Sequence, residues 1–210
     1  MWPLLQSDHV LWYDKPAEFF EESLVIGNGK MGASVFGGVQ SDKIYLNDLT
    51  LWSGEPVDPN MNPDAHTYIP AIREALRNEN YKLADSLNKK IQGKFSESYA
   101  PLGTMFINMK HEGEPINYYR ELDLSTATTK VNYEILGVTY SREYFISYPD
   151  KVMVIKLSAS KPKALNFDIT FESPLRFTAD SEKKVLKIHG YAPIHTEPSY
   201  RGNMPIEHCF

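Results

Sequence analysis

Apolar and polar residues alternate along most of the chain with a period of two, which sends successive side chains to opposite faces of an extended strand. Val131, Tyr133 and Ile135 share one parity. Past Leu136-Gly137, which reads as a tight turn, Val138, Tyr140, Tyr144, Ile146 and Tyr148 continue the pattern. Beyond Pro149-Asp150 come Val152, Val154, Ile155 and Leu157, then Leu165, Phe167, Ile169 and Phe171, and last Val185, Leu186 and Ile188. Strands of this length, joined by short Asn, Gly, Pro and Asp connections, predict a mainly β fold, an antiparallel meander or sandwich.

One segment departs from this period. Between Pro63 and Gly93 the apolar residues Ile69, Ile72 and Leu76, then Leu83, Leu87 and Ile91, recur at helical spacing. Pro70 is expected in the opening turn of a helix and Gly93 at a helix end. Asn78-Glu79-Asn80 is expected to divide the segment into two short helices. The layout is therefore strands, a helical insertion over residues 63–93, and more strands.

The length of 210 residues suits one domain or a tight pair, and 42% hydrophobic residues suffice for a sizeable core. Lys and Arg number 22 against 27 Asp and Glu, a net charge of −5. With no basic run, neither nucleic acid nor an anionic membrane surface is an expected partner. No stretch approaches the roughly 18 apolar residues that span a bilayer. The single cysteine, Cys209, leaves no internal disulfide and no Cys-built zinc site. Met1 to Ser7 is too short and uncharged for a signal peptide. Two localisations follow: a cytoplasmic protein, or a start inside the tail of a longer export signal. The run Met204 to Phe210 reads as the tail of a chain cut short.

Gly27-Asn28-Gly29-Lys30-Met31-Gly32 fits G-x-G-x-x-G. A dinucleotide site needs a helix next, to hold the pyrophosphate at its N-terminus. Ala33 to Val39 is strand-like instead, so the motif reads as a glycine-rich turn between strands. His111-Glu112 lacks the second histidine of a zinc-protease helix, and the six histidines show no ligand spacing. Ser53-Gly54 lies outside any G-x-S-x-G elbow. No cofactor and no metal are expected. A glycosidase needs two carboxylates placed across a bond, and Asp48, Glu55, Asp58, Glu197 and Glu207 are candidates whose spacing pairs none of them. Trp12, Trp52, Tyr99 and Tyr200 lie in turn-rich surroundings, where aromatic rings either pack a hairpin or stack on sugar.

Several segments are familiar as a set. They include Leu11-Trp12-Tyr13, Val25 to Ala33, Val35 to Val39 and Ile44-Tyr45-Leu46-Asn47-Asp48-Leu49-Thr50-Leu51-Trp52-Ser53-Gly54. Tyr99-Ala100-Pro101-Leu102-Gly103 and Tyr118 to Leu124 complete it. In order and spacing this resembles the N-terminal domain of glycoside hydrolase family 95, the α-L-fucosidases that include the 1,2-α-L-fucosidases. The resemblance runs from about Val10 to Asn203. It implies a β-super-sandwich that precedes a linker and an (α/α)6 barrel. In that family the barrel carries an inverting reaction, in which a glutamic acid protonates the leaving oxygen while asparagines and an aspartate activate water. None of those residues maps onto this chain, so no catalytic residue is assigned. Full-length relatives are typically periplasmic or extracellular.

The expected layout is a disordered or residual segment at 1–9, the sandwich domain at 10–203, and an aberrant or truncated tail at 204–210. The expected partners are the catalytic helical barrel and a fucosylated glycan. Asn47, Asp48, Trp52, Glu197 and Tyr200 are the substrate-proximal candidates, and Gly27, Gly29, Gly32 and Gly54 are the turn glycines that supply positive φ or close approach. The leading reading is the non-catalytic sandwich of a fucosidase. The alternatives are an autonomous carbohydrate-binding module that stacks sugar on Trp52 or Tyr200, and a structural β domain without a ligand.

Overall fold

A computed structural model describes residues 9–54, 56, 58–93, 97–195 and 207–208, with side chains up to residue 194. It is 49% strand and 13% helix, the mainly β fold expected. The strands are β1 Val10–Tyr13, β2 Leu24–Gly27, β3 Met31–Val35, β4 Ser41–Asp48 and β5 Trp52–Ser53. Helices α1 Ala65–Arg77 and α2 Tyr81–Asn88 follow, then β6 Ser98–Tyr99, β7 Gly103–Met109 and β8 Ile116–Asp123. The remainder is β9 Thr128–Ile135, β10 Val138–Ser147, β11 Val152–Ala159, β12 Phe167–Glu172, β13 Arg176–Glu182, β14 Val185–Tyr191, β15 Pro193–His195 and β16 Glu207–His208. The chain divides into two compact units, residues 1–51 with 100–190, and residues 52–99 with 191–210.

The first unit is an antiparallel β-sandwich. One sheet has the order β1-β8-β9-β10-β11 and the other β12-β7-β4-β3-β2. Alternation decides which side chains meet between them. Leu24, Ile26, Ala33, Val35, Ile44, Ile107 and Met109 come from one sheet, and Leu122, Val131, Tyr133, Ile135, Tyr140 and Tyr144 from the other, in a single apolar cluster. A fully buried side chain of this size contributes roughly 1.5–3 kcal/mol. The connection from β3 to β4 depends on Gly37-Gly38. Gly37 has φ +73°, and a Cβ at Gly38 would run into the Ser41 carbonyl. The β13–β14 hairpin is anchored by Phe177, whose ring meets Phe171 edge-on at 5.2 Å.

The second unit holds the helices and the short pairs β5–β6 and β15–β16. The helices break at Asn78–Asn80, where Glu79 takes φ +55° and the Asn80 side chain caps α2 by accepting from the Leu83 amide at 3.1 Å. Three local expectations are corrected here. Pro70 lies inside α1, beyond the opening turn, because the helix already starts at Ala65. α2 ends at Asn88, so Ile91 and Gly93 lie outside it. The Asn62 side-chain amide donates to the Lys90 and Gln92 carbonyls at 2.9 and 3.0 Å, which holds that stretch in a non-helical path. The buried helical residues are Ile72, Ala75 and Ala84, while Ile69, Leu76 and Leu83 of the expected apolar face remain exposed.

Candidate functional site

The glycine-rich motif is a β2–β3 hairpin, with Gly27 opposite Gly32. Asn28 shapes the turn. Its Oδ1 accepts from the Lys30 and Met31 amides at 3.0 and 2.8 Å, and its Nδ2 donates to the Ser147 carbonyl at 2.9 Å. Gly29 has φ +85°, and a Cβ at Gly27 would stand 3.1 Å from the Met31 carbonyl. A Cβ at Gly32 would come no closer than 3.7 Å to the Ile26 carbonyl oxygen, and its φ is not positive, so neither close approach nor a left-handed backbone requires glycine there. Gly54 has φ +146°. The strand that follows, β3, removes the helix a dinucleotide site requires.

The Asn47–Gly54 segment straddles the division between the units at Leu51 and Trp52. Asn47 stands opposite Gly32 at the end of β4, half-buried, with its Oδ1 buried and unpartnered. Asp48 caps the next turn, its Oδ1 accepting from the Thr50 amide at 2.9 Å and hydroxyl at 2.6 Å. Those bonds hold its carboxyl below the usual carboxylate range, which suits a turn cap rather than a proton donor. Asp58 does the same for the Asn60 amide at 2.9 Å. In the second unit, Trp52 stands opposite Tyr99 with the rings edge-on at 6.1 Å. Neither Asn47 nor Trp52 is fully buried. Glu55, Glu197 and Tyr200 lie outside the described residues, and so does the Glu207 side chain.

The sequence reading missed a polar cluster in the sandwich core. Asp42, Arg142 and Tyr144 are at most 1% exposed. Asp42 Oδ1 accepts from the Gly37 and Gly38 amides at 2.8 and 3.2 Å, while Oδ2 accepts from the Tyr144 hydroxyl and faces Arg142 Nη1 at 3.2 Å. Arg142 also donates to the Gly38 and Val39 carbonyls at 2.7 and 2.9 Å and to the Tyr133 hydroxyl at 2.8 Å. Burial pushes the Asp42 carboxyl up, and Arg142, Tyr144 and the Gly37 amide pull it back. Removing one partner from such a pair strands a buried charge, at roughly 3–5 kcal/mol.

The cluster reaches toward the surface at His111, whose Nε2 lies 2.8 Å from the Tyr133 hydroxyl. Arg120 forms a second clasp. It donates to the Lys15 and Glu22 carbonyls, each at 2.7 Å, with its guanidinium 4.0 Å from the Tyr13 ring. Both arginines are sealed from solvent and bonded mainly to backbone carbonyls of distant segments, with only Arg120 Nη2 and Arg142 Nε left without a hydrogen bond, so they hold loops to strands. The available sequence signal was parity: Arg120 and Arg142 fall on inward positions of otherwise apolar alternations. Among the described residues, no group of three or more His, Cys, Asp or Glu is placed to hold a metal ion.

A family model for the glycosyl hydrolase family 65 N-terminal domain matches residues 11–207. The chain belongs to that family. Alpha-L-fucosidase 2 of Arabidopsis thaliana is 35% identical over 181 residues, covering 85% of this chain and 21% of the relative. Probable alpha-fucosidase A of Aspergillus niger is 31% identical over 160 residues, covering 71% of this chain and 20% of its own. The Aspergillus oryzae protein of the same name is 25% identical over 195 residues, covering 89% and 27%. The glycosyl hydrolase domain described here thus spans between 20% and 27% of the length of these relatives. Together the family and the relatives bear out the expectation of the N-terminal domain of a fucosidase-like glycoside hydrolase.

Proposed function

We propose that this β-sandwich is the non-catalytic part of an enzyme that hydrolyses α-L-fucosyl linkages in glycans with inversion, and that the 210-residue chain alone turns over no fucoside. The observation that carries this reading is the match of residues 11–207 to an N-terminal domain, within relatives named as fucosidases of which this stretch is the smaller part. Asp48 and Asp58 support it, since both are engaged in capping turns. The acid that protonates the leaving oxygen and the groups that activate water then belong to a helical barrel, which is the partner this reading requires. Asn47, Asp48, Trp52, Glu197 and Tyr200 are the positions proposed to approach substrate in that assembly.

The test is release of fucose from 2′-fucosyllactose and from an aryl α-L-fucoside by the purified chain. No release above the buffer blank is expected. Turnover that scales with enzyme concentration through a sizing column overturns the proposal.

A further inference from the structure

The register sets out the outer face of the β1-β8-β9-β10-β11 sheet row by row. Trp12 stands opposite Glu121, Glu121 opposite Lys130, Lys130 opposite Glu143, and Glu143 opposite Lys156. Lys130 lies 3.9 Å from Glu121 and Lys156 lies 3.3 Å from Glu143, so this row neutralises itself. In the next row Tyr119 stands opposite Asn132, and Asn132 opposite Ser141. At the corner of the face the rings of Trp12 and Tyr119 lie 6.2 Å apart with their planes within 20°. Trp12 is 45% exposed. The Tyr119 hydroxyl donates to Glu121 at 2.9 Å, which fixes its ring.

Two nearly parallel rings beside a self-neutralised polar row narrow the ligand chemistry. A polyanion finds no uncompensated cation here, because Lys130 and Lys156 each have a carboxylate. An amphipathic helix needs a longer apolar groove than this corner provides. A pyranose fits, with its C–H face on the π surface and its hydroxyls within reach of amide and hydroxyl side chains. Neighbouring strands lie about 4.8 Å apart, which places Asn132 and Ser141 roughly 5 and 10 Å along the sheet from Tyr119. That run suits a short oligosaccharide rather than a single sugar.

We propose that this face binds a neutral oligosaccharide, with Trp12 and Tyr119 as the stacking platform and Asn132 and Ser141 as hydrogen-bonding partners. The proposal uses neither Trp52 nor Tyr200, and it holds whether or not the chain serves a fucosidase. The experiment is an NMR titration of the ¹⁵N-labelled chain with cellotetraose and with 2′-fucosyllactose, following the tryptophan indole N–H signals. At least one probe is expected to shift the Trp12 signal saturably, with an affinity that raised salt leaves unchanged. Trp12→Ala weakens binding about tenfold or more, while Tyr81→Ala, at the exposed start of α2, leaves it unaltered. Should Trp12→Ala lose the native circular dichroism, the Asn132→Ala/Ser141→Ala variant provides the same test and is expected to weaken binding several-fold. No saturable shift with either probe at millimolar concentration, a shift at Trp52 alone, or affinity undisturbed by the variants overturns the assignment. Fucose release is read separately, so a failure here leaves the catalytic reading standing.

Discussion

Arg142 stands two residues from Tyr140 and two from Tyr144, on the inward face of β10, and it is as buried as they are. A guanidinium persists there because Asp42, the Gly38 and Val39 carbonyls and the Tyr133 hydroxyl give it partners on both sheets. Tyr133 accepts from Arg142, which leaves its own proton for His111 Nε2. A neutral imidazole is the form that takes that proton. Burial, then the nearby positive charge of Arg142, holds the His111 pKa below its ordinary value, and Tyr140 packs against the same ring at 4.2 Å. The unfolded chain therefore binds a proton at His111 that the folded chain resists. Stability is expected to fall as pH drops from about 6.5 toward the lowered folded value, and to be insensitive to this group above that range. His111→Gln should flatten this part of the curve in urea denaturation across pH. Identical slopes for parent and variant would rule the coupling out. Inward parity was readable for Arg142 and Arg120, but the carbonyls that receive them and the Asp42 carboxylate lie roughly a hundred residues away, and nothing local announces them.

At the scale of elements, the β9–β10 hairpin shows how much local pattern can carry. Ile135 pairs with Val138, leaving Leu136-Gly137 as a two-residue turn. Both residues are left-handed, with φ +49° and +69°, the geometry that normally selects Asn-Gly. Leu136 is 79% exposed, so its side chain gains little burial in return for the strain. Leu136→Asn is expected to stabilise the chain by about 1 kcal/mol, read as a melting temperature raised by about 2–4 °C. An unchanged or lower midpoint would show that another contact favours leucine there. The helical insertion was equally legible from its period, including the break at Asn78–Asn80, because helices answer to local spacing. Its exact stops were not, since Asn62 fixes the chain after α2 from outside the helix. β13 was missed because its sequence, Arg176 to Glu182, is polar and mostly exposed, which leaves no apolar alternation to detect.

Across the whole molecule, the outer faces of the two sheets differ in character. The β1-β8-β9-β10-β11 sheet carries the row of alternating Glu and Lys. The other carries a row of Val25, Ser34, Tyr45 and Thr104 in register that ends in Glu172, and Lys43, on the same face, lies over the Phe36 and Tyr45 rings. Phe20 stacks on Tyr45 at 6.1 Å, and Phe19, Phe20 and Val25 are 64%, 58% and 59% exposed. β2, which holds Val25, is an edge strand. An apolar patch at an open edge favours association of one copy with another. The weight-average mass in sedimentation equilibrium is expected to rise with concentration, and Val25→Lys to suppress the rise. Superimposable curves for parent and variant would remove the patch from consideration.

The residues by themselves determined the mainly β character, the helical insertion, the hairpin at Gly27 to Gly32 and the two-residue turn at Leu136, because each answers to spacing within a few positions. They also determined the ancestry, through segments whose order and composition survive in the named relatives. Tertiary structure alone decided that β1 pairs with β8 and β4 with β7, and that residues 52–99 group with 191–210. It also decided that two arginines enter the core and that Trp12 meets Tyr119. Those outcomes depend on burial and partner geometry summed over distant parts of the chain, and no local window contains them.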